Sequence, residues 1–139
     1  MILVIRISGL VKVDKKVEEA LYRMRLRRKY SATLLEDNEK NRKFLKKIRN
    51  YVAYGKINNK TLERLIDLRG RPIKKEKKID SKKIIVEMEK KNLKELGLKP
   101  FFRLHPPRGG IESKKHSGIG KGVLGDNKEK INELLERML

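Results

Sequence analysis

The densest run of side chains that could bind a ligand is RMRLRRKY, residues 23–30, which places five cations in eight positions. An arginine guanidinium donates two hydrogen bonds to one phosphate while its stem packs on the protein. Cations at a helix end also interact favourably with the helix dipole, but this explains only about one or two of the five. The run therefore predicts a phosphate-binding surface made of Arg23, Arg25, Arg27, Arg28 and Lys29.

A second candidate is FFRLHPPRGG, residues 101–110. Its Pro-Pro pair fixes two φ angles and its Gly-Gly pair permits close approach of a ligand to the backbone, so that flanking side chains project from a stiff loop. The side chains in question are Arg103, His105 and Arg108. A plain surface turn with incidental charges explains the same residues equally well, and the sequence leaves both interpretations open.

The third candidate is the Gly-rich stretch that ends in GKGVLG, residues 120–125. It matches G-x-G-x-x-G formally, but no predicted strand precedes it, and a dinucleotide site needs that strand. We predict instead a flexible basic loop that lies against phosphates. Its expected contacts are Lys114, Lys115, His116 and Lys121.

The composition of the whole chain favours a polyanionic partner. Lys and Arg number 38 against 18 Asp and Glu in 139 residues, a formal net charge of +20. With a pI near 10.3, nucleic acid is the first partner to consider. The longest apolar run, MILVI, is far too short to span a membrane and lacks the features of a signal peptide, so we expect a cytoplasmic protein with no membrane partner.

Catalysis and metal binding are not expected. The chain has no Cys and two His, which excludes disulfides and a thiolate zinc site. No Ser-His-Asp set or carboxylate pair stands out, and no orienting partner for His105 as a base can be identified. We therefore predict a protein that is not an enzyme and needs no cofactor, metal or small-molecule substrate.

The elements that must position the basic runs are readable from periodicity. Residues 1–57 spell β-α-β-α-β: alternating apolar residues in ILVIRISG, YSATLLE and YVAYGKI, and amphipathic helices beginning near Asp14 and Asp37. This predicts an α+β fold whose core is a three-stranded sheet with both helices on one face, a relative of ferredoxin-like arrangements. The other face of the sheet is expected to be open.

Residues 58–139 are predicted to form a helical, Gly/Pro-rich and basic C-terminal extension. Apolar spacing indicates helices near 59–69, 81–96 and 126–138. A basic loop covers 99–125, and we expect residues 103–125 to become ordered on binding.

Several blocks of the sequence resemble a known family. The blocks are, in chain order, RISGLVKVDKKVEEALYRMRLRRKYSATLLE, YVAYGKI, TLERLIDLRGR, FFRLHPPRGG and INELLERML. Both the blocks and their order resemble the archaeal form of large-subunit ribosomal protein thirty, the counterpart of eukaryotic large-subunit protein seven. The resemblance implies a structural component of the ribosome that binds large-subunit rRNA near the 5S rRNA, beside other ribosomal proteins. The alternative is a non-ribosomal basic RNA- or DNA-binding protein.

The same resemblance implies individual rRNA contacts along the chain. They are Arg6, Ser8, Lys12, Arg25, Arg27, Arg28, Lys29, Arg69, Arg71, Arg103, His105, Arg108 and Gly109.

Overall fold

The computed structural model describes residues 1–7, 9, 13–74, 80–88, 91, 93–110, 113–116 and 122–139, with the backbone alone described for 113–116. The elements of these ranges are β1 (Ile2–Arg6), α1 (Lys15–Arg23), β2 (Ser31–Leu35), α2 (Glu39–Lys47), β3 (Val52–Lys56), α3 (Asn59–Arg69), α4 (Ser81–Glu87), β4 (Phe102–Arg103), β5 (Ser113–His116), β6 (Gly122–Asp126) and α5 (Ile131–Met138). A 3-10 turn at Lys128–Lys130 precedes α5.

Polar side chains begin the first four helices. Asp14, Asn38, Asn58 and Asp80 each accept a hydrogen bond from a backbone N–H of the following turn, as expected of N-cap residues. The predicted start of the last helix at 126 is wrong, because Asp126 lies at the end of β6. None of the helices in the described ranges is long and apolar enough to cross a lipid bilayer.

The sheet is wider than the three strands predicted. β1 lies between β2 and β3 and is antiparallel to both, and the strands of the described residues run in the order β4-β2-β1-β3-β6-β5. The α+β class is confirmed, but the count of three is wrong, because short segments of the extension pair with both edges. β4 is antiparallel to β2, and β6 is parallel to β3.

The two faces of the sheet are covered by different parts of the chain. α1 and α2 both pack on the face formed by Ile2 and Val4 of β1, where burial of apolar area stabilises the fold. The core of this face consists of Ile2, Val4, Leu21, Leu26, Leu45, Ile48, Val52 and Tyr54.

The opposite face is not open, and that expectation is wrong. Leu3, Ile5 and Ile7 pack there against α3, α4 and α5, so the extension forms the larger of the two cores. The apolar stripes of these helices had to be buried against some surface, and the second sheet face is the surface they cover.

The last helix approaches the sheet very closely at Gly55 in β3. A β-carbon added at this position would overlap the carbonyl of Lys128 and the side chain of Ile131. Glycine is therefore required by the space between β3 and the start of α5, rather than by backbone conformation.

The region after α4 departs from the predicted helix at 81–96. α4 ends at Glu87, and residues 93–97 form turns that finish at Gly97, whose φ is 84°. Leu93, Leu96 and Leu98 are nevertheless buried in the core of the second face. Their irregular spacing suits packing of a turn better than one stripe of a helix.

Candidate nucleic-acid interface

The first basic segment, residues 23–30, is a fixed turn between α1 and β2. The N–H of Leu26 donates to the carbonyl of Leu21 at 2.9 Å, and the N–H of Arg25 donates to the carbonyl of Tyr22 at 2.9 Å. These two bonds are the Schellman pattern of helix ends. Because Leu21 and Leu26 are both fully buried, apolar packing anchors the same turn.

Arg25 occupies the position of this turn where glycine is usual. Its φ is 65°, in the left-handed region, and a residue with a β-carbon is less stable there by about 1 kcal/mol. Arg25 is exposed, so burial of its side chain does not offset this cost. A cation is thus presented at this point at the expense of local stability, a pattern associated with functional sites.

Arg6 supports the turn from inside. Its side chain is 1% exposed, and the guanidinium donates to the carbonyls of Leu26 at 2.7 Å and Gly9 at 3.2 Å. Burial lowers the pKa of Arg6 from its usual value. The expectation of Arg6 as a surface contact does not fit this placement, since period-2 alternation put it on the same face as Val4, which α1 covers.

The five cations of the first basic segment itself are all exposed to solvent. They are Arg23, Arg25, Arg27, Arg28 and Lys29. The ion pairs found in the described part of the chain join Arg42 and Lys56 to Asp37, Lys43 to Glu39, and Arg64 to Glu136. None of those pairs neutralises a cation of the first basic segment, so its positive charge is available to an external anion.

One of these cations is stacked on an aromatic ring. The guanidinium carbon of Arg27 lies 4.2 Å from the centroid of the Tyr22 ring, and Tyr22 as a residue is 57% exposed. Such a contact contributes about 0.5–1 kcal/mol at an exposed site. It also places the guanidinium beside the last turn of α1.

The second basic segment, residues 103–110, lies directly beside the first. β4 pairs Arg103 with Ser31, and the N–H of Leu104 donates to the carbonyl of Tyr30 at 3.0 Å. The structure therefore brings together two basic runs that are more than 70 residues apart in sequence.

The C-terminal helix holds the second basic segment in place. The N–H groups of His105 and Arg108 donate to the carbonyls of Met138 at 3.0 Å and Arg137 at 2.9 Å. In return the Arg137 guanidinium donates to the carbonyls of Arg108 and Gly110. Arg103, His105 and Arg108 remain exposed, so the segment is a supported turn with basic side chains at the surface.

The glycines of this turn have the conformations that the sequence pattern requires. Gly109 and Gly110 have φ of 80° and 74°, and the N–H of Gly110 donates to the carbonyl of Pro107 at 3.0 Å. Pro107 is buried, whereas Gly109 is exposed and leaves its backbone accessible.

Arg69 and Arg71 lie at the end of α3 and just beyond it. Arg69 is half-buried, and its guanidinium donates to the carbonyl of Leu139 at 3.3 Å, next to the residue that holds His105. Its Nε is the buried side-chain atom without a hydrogen-bond partner among those the structure describes. Arg71 is exposed.

The other predicted contacts are either outside the described residues or on another edge of the sheet. Ser8, Lys12 and Lys121 lie outside the described residues. Lys114, Lys115 and His116 belong to β5, at the edge of the sheet opposite β4, and not to a loop as expected. Pairing with β6 accounts for the difference.

Sequence reasoning missed two residues of this site. Tyr22 lies on the exposed face of α1, where an aromatic residue gives no sign of a specific role. Only its spacing from Arg27 across the Schellman turn could have indicated the contact. Arg137 carries no local sequence signal, because its role depends on the docking of α5 beside residues 108–110.

Comparison with known proteins identifies the family of the chain. The family profile described as ribosomal protein L30p/L7e matches residues 2–52. A large ribosomal subunit protein uL30 of Archaeoglobus fulgidus is 39% identical, over 99% of both chains. The chain belongs to the ribosomal protein L30p/L7e family.

Other relatives extend the match over the C-terminal region as well. The proteins named large ribosomal subunit protein uL30 of Aeropyrum pernix and Methanosphaera stadtmanae are 36% and 32% identical, over 98% and 100% of this chain. The aligned regions cover 97% and 100% of the length of these two relatives. The family resemblance read from the sequence is confirmed, and it includes the extension that supplies the second basic segment.

Proposed function

We propose that this chain is a structural component of the large ribosomal subunit and binds rRNA through the two basic segments. The family membership supports the ribosomal role. The proposal requires no chemical step, cofactor or metal.

One observation carries the proposal of an RNA surface. Two basic segments lie side by side, each on a turn held by the protein core, and their exposed cations are not neutralised by carboxylates within the described ranges. Pre-organised cations bind phosphates with little loss of conformational entropy. Arginine in such turns suits RNA because one guanidinium bridges two phosphate oxygens.

The proposal also covers contacts outside the two segments. Ser8, Lys12, Arg69, Arg71, Lys114, Lys115, His116 and Lys121 stay predicted contacts. Proximity to the 5S rRNA and to neighbouring ribosomal proteins is proposed on the family resemblance alone. Arg6 is left out, because its guanidinium is directed to carbonyls of the protein itself.

The salt dependence of binding tests this function. The full chain is titrated with large-subunit rRNA transcribed from the genome that encodes it, between about 50 and 200 mM salt, where several phosphate contacts predict a loss in affinity of roughly 10³. Arg28→Ala should weaken binding and lower the slope of log K against log salt by about one.

Two control variants sharpen the result. Lys60→Ala removes an exposed cation at the start of α3, at the end of the sheet remote from Arg6, and should leave the slope unchanged. Arg6→Met should also leave the slope unchanged, because Arg6 is buried. Salt-independent binding, or equal effects of Arg28→Ala and Lys60→Ala, would contradict the proposed interface.

A further inference from the structure

We propose that Tyr22 and Arg27 form a stacking site for a single unpaired RNA base. This inference rests on the rRNA binding proposed above and names the part of the RNA that this corner of the protein recognises.

Three contacts between a cation and an aromatic ring occur in the described residues, and their geometry differs. Arg27 lies 4.2 Å from the centroid of the Tyr22 ring, Lys29 lies 5.1 Å from that of Tyr30, and Arg103 lies 5.9 Å from that of Phe101. Only the first combines a close planar cation with a ring that is more than half exposed, since Tyr30 and Phe101 are half-buried.

The pair is held by the core of the protein. Tyr22 lies in the last turn of α1 and is followed by the Schellman turn. Arg27 directly follows the fully buried Leu26. The carbonyl of Leu26 is itself fixed by the buried guanidinium of Arg6. Ring and guanidinium are therefore positioned before any RNA binds, which lowers the entropic penalty of stacking.

The chemistry of the pair suits a base better than a phosphate alone. The face of the Tyr22 ring offers nothing to a phosphate, and its hydroxyl can donate only one hydrogen bond to one, but the ring stacks on the face of any base, and an arginine plane does the same. Arg27 in addition keeps N–H donors for the backbone of the same nucleotide. Bases within an A-form helix are already stacked, so the base that fits must be unpaired, in a loop or a bulge.

Ultraviolet crosslinking of the complex tests the contact directly. The full chain is bound to large-subunit rRNA, irradiated, digested and analysed by mass spectrometry for peptides that carry a nucleotide. We expect an adduct on Tyr22, and chemical probing of the free rRNA should find that nucleotide unpaired. An adduct on Tyr22 with a paired nucleotide, or adducts confined to other residues, overturns the proposal.

Variants separate stacking from charge. Tyr22→Leu should weaken rRNA binding about tenfold without changing the salt slope, because a stacked base releases no counterion. Tyr22→Phe keeps the ring and should bind like the unaltered chain. Arg27→Lys keeps the charge but loses the planar group, and should weaken binding at an unchanged slope.

The outcomes distinguish this proposal from the one on which it rests. If Arg28→Ala lowers the slope but Tyr22→Leu and Tyr22→Phe bind equally well, the rRNA interface stands and the stacking site fails. If the unaltered chain binds without salt dependence, the interface itself fails.

A purely structural role and a protein partner are also separable. Thermal melting of Tyr22→Leu should differ from that of Tyr22→Phe by no more than the loss of the single contact between Arg27 and the ring, because the side chain is exposed. Normal affinity of Tyr22→Leu for free rRNA, with reduced incorporation into large subunits, would assign the ring to a neighbouring protein and overturn the proposal.

Discussion

The two basic segments have similar composition but are held in different ways. The first is closed by backbone bonds to the adjoining helix α1 and by the buried Leu26, and Arg6 of β1 adds a bond to the carbonyl of Leu26. The second depends on a helix more than 20 residues further along the chain, whose last carbonyls accept its N–H groups. The first is therefore ordered by local structure, and the second only by completion of the whole fold.

This difference shows why clusters of like charge do not by themselves prevent folding. In both segments the fixed groups are backbone amides and apolar side chains, whereas the cations are left at the surface. Repulsion between exposed charges is screened by solvent and salt, so it opposes the fold only weakly. Each turn can thus be rigid and highly charged at once.

The largest expected effect comes from loosening α5. Leu135→Ala removes a fully buried side chain beneath that helix and should lower the free energy of unfolding by about 2–5 kcal/mol, measured by chemical denaturation. Hydrogen exchange should accelerate at the amides of His105 and Arg108 more than at those of Arg25 and Leu26, because only the former bond to α5.

The matched control is Glu133→Ala on the exposed side of the same helix, which should change stability little. Equal acceleration of exchange in both segments by Leu135→Ala would show that the first segment also depends on α5, and the contrast between them would not hold.

A smaller effect of opposite sign is expected at Arg25. Arg25→Gly relieves the left-handed conformation and should raise the free energy of unfolding by about 0.5–1 kcal/mol. The same variant should bind rRNA more weakly, with a salt slope lower by about one, because a phosphate contact is lost. Parallel denaturation and binding measurements test this, and a variant that is both more stable and equally tight in binding would show that the cation serves no interface.

The smallest effect provides a reference outside both segments. Arg42 donates to Asp37 at 2.6 Å, and this bond holds the pKa of Asp37 below its ordinary value of 3.8. Because the pKa is lowered by folding, ionised Asp37 stabilises the fold above pH 3.8, and this contribution disappears as the pH falls through the folded pKa. Asp37→Asn should therefore flatten the decline of unfolding free energy below about pH 4, with no change in rRNA affinity. An unchanged pH profile would show that the pair is not formed in solution.

Much of the first half of the fold is readable from the sequence. The β-α-β-α-β order and the amphipathic helices that begin at Asp14 and at Asn38 follow from periodicity and capping, because the residues that decide them are neighbours. The Schellman turn is only partly predictable, because the glycine that usually marks such a helix end is replaced by Arg25.

The second half was less accessible because its structure is decided by distant contacts. Nothing near Phe102 indicates that it joins β2, and nothing near Gly122–Asp126 indicates a strand parallel to β3. The same limit applies to the site: alternation places Arg6 on one face of β1, but only the position of Leu26 determines that its guanidinium is buried.

The second sheet face has a consequence for synthesis of the protein. α5 begins 75 residues after β3 ends, so the cover over Leu3, Ile5 and Ile7 is completed only by a segment that is translated much later. At roughly 5–20 residues per second, that interval is about 4–15 s. Until α5 is translated, α3 and α4 can cover only part of this face, so the nascent chain exposes some apolar surface together with a strongly basic one, a combination that favours aggregation unless a chaperone shields it.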